Sequence, residues 1–132
     1  MRASRPTILA SIVLALEGLG IGGLVVAEVI GIVSGRASST VGGLGLLGIT
    51  LIAAIALIAF AAGLLRRASW ARSGGIVFQV LAIALALSSL TIAPISWLFT
   101  LGDGIPGILG LVLLILAARA DGAEDRRLQR ED

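Results

Sequence analysis

Residues 41–65 read VGGLGLLGITLIAAIALIAFAAGLL, a run without one charged side chain. An apolar run of about 18 or more residues is long enough to cross a hydrocarbon core of about 30 Å as a helix. Lipid offers no partner to backbone N–H and C=O groups, and a helix satisfies its own backbone. Three further apolar runs lie around it, at 7–33, 74–97 and 105–118. Together they predict an all-α protein, a four-helix transmembrane bundle of two antiparallel hairpins. The whole chain, 1–132, is then one integral membrane domain with a charged tail at 119–132. The last run is the shortest, roughly 21 Å at about 1.5 Å per residue. It crosses if the helix continues into the tail and Arg119 extends back to the interface.

The arginines orient this arrangement. Arg2 and Arg5 precede the first run, Arg66, Arg67 and Arg72 follow the second, and Arg119, Arg126, Arg127 and Arg130 follow the fourth. With four crossings those nine share a side, and Arg36 alone falls on the other. Basic loops stay in the cytoplasm, so the N- and C-termini are expected there, in the cell membrane. The opening Met1-Arg2-Ala3-Ser4-Arg5 resembles the start of a secretory signal, but its apolar run exceeds the usual h-region of about 7–15 residues. An uncleaved first span is the expectation.

Composition agrees with a membrane and excludes much chemistry. The chain is 58% hydrophobic with a mean hydropathy of +1.09. It contains no Cys, His, Lys or Tyr. Disulfides, thiolates and the common zinc sites are therefore excluded, and no metal or other cofactor is expected. The high pI follows from arginine unaccompanied by Lys or Tyr. With a net charge of only +2 and its arginines at membrane edges, the chain is no nucleic-acid binder. Its partners are the lipid bilayer and either further copies of itself or another membrane protein. Richness in Ala, Gly and Arg also suits a GC-rich bacterial genome.

Small residues mark the faces expected to pack. At about 100° per residue, Ala10, Glu17, Gly20, Ala27, Glu28 and Gly31 gather on one face of the first span. Gly42, Gly45, Ala53, Ala56 and Gly63 do so on the second. Small residues let backbones approach closely in lipid, which predicts Gly20 against Gly45 or Ala53, with Ala61 facing lipid. Trp70 and Trp97 bracket the third run at headgroup level. Pro94 should bend or end that run, and residues 100–104 read as a turn with Asp103 as helix cap. In the tail, Glu124–Arg127 and Arg127–Glu131 have helical pair spacing.

Polar groups at membrane depth are the candidate functional residues. Glu17 lies about 15 Å beyond Thr7, near the midplane, where loss of water favours a protonated carboxyl. Glu28 is almost three turns further, on nearly the same face and close to the outer surface. Thr50 is expected level with Glu17, and Gln79 somewhat nearer the cytoplasm. Glu17, Glu28, Thr50 and Gln79 are thus the candidate substrate-binding residues. Two readings remain open: a cation- or proton-responsive carboxylate facing a cavity, or an interhelical bond from Glu17 to Thr50 or Gln79 that holds the bundle together.

Arg66-Arg67-Ala68-Ser69-Trp70-Ala71-Arg72, followed by a span with Gln79, resembles small four-span membrane proteins of actinobacteria. That resemblance implies architecture and localisation only. Ala27-Glu28-Val29-Ile30-Gly31 is similar to the first-helix glutamate motif of the small multidrug resistance transporters. It implies a dimer of four-helix chains in which Glu28 exchanges protons for cationic drugs. Ile32 stands where that family usually has Thr, however, and no Lys follows. Without His, Cys, Lys or Tyr, no general acid–base constellation emerges and no enzyme is expected. The leading expectation is an accessory or structural membrane protein. The alternatives are a proton-coupled small-molecule transporter and a holin-like, pore-forming oligomer.

Overall fold

The computed structural model describes residues 4–36, 39–91 and 97–131, and places four helices in order: α1 (Arg5–Val33), α2 (Thr40–Leu65), α3 (Ser69–Ser89) and α4 (Trp97–Glu131). Among the described residues there is no strand. All four helices are long and apolar enough to span a membrane, α4 over Thr100–Ala123. Their outer surface is Leu, Ile and Val, as lipid requires in place of water.

The turns explain the boundaries. Both α1 and α2 end in a Schellman motif. At α1 the Arg36 amide donates to the Gly31 carbonyl (3.0 Å) and Gly35 takes the left-handed conformation (φ 69°). At α2 the Ala68 amide donates to the Gly63 carbonyl (2.9 Å), and Arg67 stands in the left-handed position (φ 56°). Glycine costs little there, whereas a side chain costs on the order of 1 kcal/mol. This tight turn starts α3 at Ser69, about one and a half helical turns before the expected Gly74. Ser39 caps α2 by accepting from the Gly42 amide (3.2 Å).

Each helix packs antiparallel on its chain neighbour, and α1 on α4 closes the ring. The N-terminus of α1, the α2–α3 turn and the C-terminal half of α4 therefore share one end, called here the terminal end. The core sits in that half: Ala10, Leu14, Leu57, Ala61, Leu64, Ala71 and Leu114 form one buried cluster. Ser11 Oγ donates to the Ala61 carbonyl across α1 and α2 (2.9 Å). Ala61 is thus buried, not lipid-facing. Nor do Gly20 and Gly45 meet, since neither has a neighbour within 4 Å of where a Cβ would stand. The close approaches are Gly18 on Leu57 and Ile58, and Gly63 on Ala71. Periodicity located small residues on several faces, and bulky partners decided which face was used.

The α3–α4 hairpin differs from expectation at its start. Residues 100–104 are helical, so Asp103 lies inside α4 instead of capping it. Gly104 rests on Ala86 and Ser89 Oγ meets Thr100 Oγ1 at 2.6 Å, contacts that need α4 to be helical already at that level. Trp97 belongs to α4, yet it and Trp70 remain exposed at opposite ends of the bundle. Pro94 falls outside the described residues, and the tail pairs of Glu124 and Glu131 fall on side chains outside those described. Past Asp121, α4 continues for roughly 15 Å at about 1.5 Å per residue.

Candidate functional site

Gln79 lies in the buried stripe of α3, Ala71-Gly75-Gln79-Ala82-Ala86, at helical spacing. A full side chain there needs room on α4, and glycine provides it. A Cβ at Gly110 would stand 2.5 Å from Gln79 Nε2, and one at Gly107 would stand 3.5 Å from its Oε1. The amide is fully buried and pinned in this notch. From α1, one turn past buried Leu14, Glu17 reaches in: Gln79 Nε2 donates to Glu17 Oε2 at 2.6 Å. This bond links α1 to α3 across the bundle, between helices that are not ring neighbours.

The pair is incomplete. Glu17 Oε1 and Gln79 Oε1 are both buried without a hydrogen-bond partner. Each such acceptor costs about 1–3 kcal/mol unless a donor reaches it.

Both residues form the floor of a cleft of about 620 Å³. Beyond Gly18, the α1–α2 hairpin leaves α3 and α4: the buried residues of α1 end at Gly18 and those of α2 begin at Ala54. The space so opened is walled by Leu16, Gly20 and Leu24 of α1, Phe78 and Ala82 of α3, and Ile105 and Leu109 of α4. Leu16, Leu24, Ile105 and Leu109 are exposed, so the mouth opens between α1 and α4 onto the surface that faces lipid. Asp103 lines the same cleft about two turns above Gln79. Glu17, Gln79 and Asp103 bring its polar chemistry, and nothing basic lines it among the described residues.

The other two candidates lie elsewhere. Glu28 and Thr50 join the far ends of α1 and α2, with Thr50 Oγ1 3.0 Å from Glu28 Oε1 and 2.9 Å from the Leu46 carbonyl. One hydroxyl proton serves one of these acceptors at a time. Thr50 is therefore level with Glu28, not Glu17. An antiparallel hairpin pairs the late residues of α1 with the early residues of α2, and the short connection fixes that register. Neither residue lines the cleft.

Two features escaped the sequence reading. Asp103, expected in a turn, lies within α4, and Gly104, Gly107 and Gly110 at intervals of three already mark a helical face there. Asp121 belongs to the stretch expected to form a charged tail. It is buried at the terminal end, with Oδ2 3.3 Å from Arg72 Nη1 and Oδ1 4.0 Å from Arg67 Nη2. Among the described residues no group of three His, Cys, Asp or Glu side chains gathers to hold a metal. Comparison with protein-family models, with curated proteins and with solved structures finds no match to this chain.

Proposed function

We propose that this multi-pass membrane protein is not an enzyme and acts by receiving a small amphipathic guest, laterally from the bilayer, in the cleft between α1 and α4. One observation carries the reading: two buried acceptors, Glu17 Oε1 and Gln79 Oε1, stand unpartnered at the floor of a cleft that is otherwise apolar apart from Asp103. A purely structural pair, as an accessory role implies, gains by consuming all its hydrogen-bonding capacity internally. A guest with an apolar body and a donor at its head would complete this one. Nine arginines against one support cell-membrane residence with cytoplasmic termini. The cleft then opens toward the outer leaflet.

Gly20→Leu tests the reading. The added side chain meets nothing within 4 Å at its Cβ and projects from the cleft wall. The variant should fold and melt as wild type does, yet lose stabilisation by amphipathic ligands. Equal stabilisation of both proteins by every ligand would count against guest binding.

A further inference from the structure

We infer that the guest's head is a primary ammonium, bound between Glu17 and Gln79; this rests on the guest-binding reading and names its chemistry. Charge comes first. Glu17 and Asp103 are the titratable residues lining the cleft, and no arginine lines it among the described residues. A carboxylate in an apolar wall is costly without a counter-charge, so a cation suits this floor and an anion does not.

Donor count narrows the choice. Glu17 Oε1 and Gln79 Oε1 both need a donor, and both are closed to a molecule the size of water, so a head group reaches them only by parting the Glu17–Gln79 pair. Protonating Glu17 supplies one donor for two acceptors. A primary ammonium carries three donors and a positive charge, enough in number for both oxygens once the pair opens to admit it. A quaternary ammonium has the charge and no N–H, and an alcohol has one donor and no charge. The remaining apolar volume suits an alkyl chain lying toward the mouth. A bare metal ion would leave those walls without a function.

Three ten-carbon probes separate these features: decylamine, decyltrimethylammonium and decanol, each titrated onto the full-length protein in nanodiscs of zwitterionic lipid. Gly20→Leu serves as the blank, so that partition into lipid is subtracted. Decylamine should bind at least about tenfold more tightly than the other two, the scale of one charge-assisted hydrogen bond. Glu17→Gln should remove that preference. Equal affinity for the amine and the quaternary ion would overturn the donor argument. If decanol matches decylamine while Gly20→Leu weakens both, guest binding stands and the ammonium head falls. If no probe distinguishes wild type from Gly20→Leu, both fall. A preference for the amine that survives Glu17→Gln would place the head elsewhere and also overturn the assignment. Should that variant fail to fold, the three probes on wild type still decide the matter.

Discussion

Glu17 and Gln79 meet across the diagonal of the bundle, the buried Gln79 amide donating to Glu17 Oε2 at 2.6 Å. A diagonal bond fixes the separation of two helices that have little other contact. Replacing either residue by leucine should destabilise the protein by about 1–2 kcal/mol, the scale of interhelical polar contacts. Glu17→Gln should be nearly neutral, since the amide retains an acceptor. A double-mutant cycle in mixed detergent micelles measures the coupling. Strict additivity of the two leucine variants would mean that the bond is not formed in the membrane.

Gly110 provides the notch that holds this amide. In Gly110→Ala the new Cβ would stand 2.5 Å from Gln79 Nε2, so the amide must leave its place beside Glu17. Melting temperature should fall, by an amount worth roughly 1–3 kcal/mol for overpacking. Gly122→Ala, on the same helix with nothing near its Cβ, should be neutral or slightly stabilising. Equal responses at the two glycines would refute the notch.

Packing between the hairpins is concentrated at the terminal end. A Cβ at Gly63 would stand 2.6 Å from that of Ala71, whereas one at Gly45 would meet nothing within 4 Å. Gly63→Leu should therefore unfold the protein at lower temperature in detergent, with Gly45→Leu tolerated. The opposite order would favour the Gly20–Gly45 contact expected from the sequence.

Asp121 ties α4 to the α2–α3 turn. Its side chain is 8% exposed and those of Arg67 and Arg72 are each 26% exposed. Partial exposure of the arginines screens the attraction, so Asp121→Ala should cost about 1–2 kcal/mol, less than for a fully buried pair. Arg72→Leu combined with Asp121→Leu should recover part of that loss. Thermal melts at low and high salt provide the check, and a loss unaffected by the second substitution would argue against the pair.

Much of this was legible in the sequence, because lipid imposes a simple requirement. Long apolar runs must be helices, and short breaks make neighbours antiparallel, so four helices and two hairpins followed from 7–33, 41–65, 74–97 and 105–118. Gln79 also emerged as one of two expected partners of Glu17, beside Thr50, since Glu17 lay near the midplane on a face rich in small residues. Other particulars were hidden by the same uniformity. Every helix is apolar nearly all round, so hydropathy does not point to a core face, and Ala61 and Gly45 were exchanged in role. The notch at Gly107 and Gly110 depends on which residue of α3 lies opposite. Local pattern does not encode that relation. Gly102 and Gly104 give Asp103 the look of a turn residue, and the charges that follow give Asp121 the look of a tail. Both face inward on a helix longer than its apolar run.

The proposed topology has four crossings, with the terminal end in the cytoplasm. With no native cysteine, single-cysteine variants give a clean labelling test. Ser34, Ser69 and Gln129 are exposed at the first turn, at the start of α3 and on the α4 extension. In intact cells a membrane-impermeant maleimide should label Ser34→Cys, while Ser69→Cys and Gln129→Cys should react only after the membrane is opened. Labelling of Ser34→Cys and Gln129→Cys from the same side would contradict the four-crossing arrangement, and with it the position of the cleft.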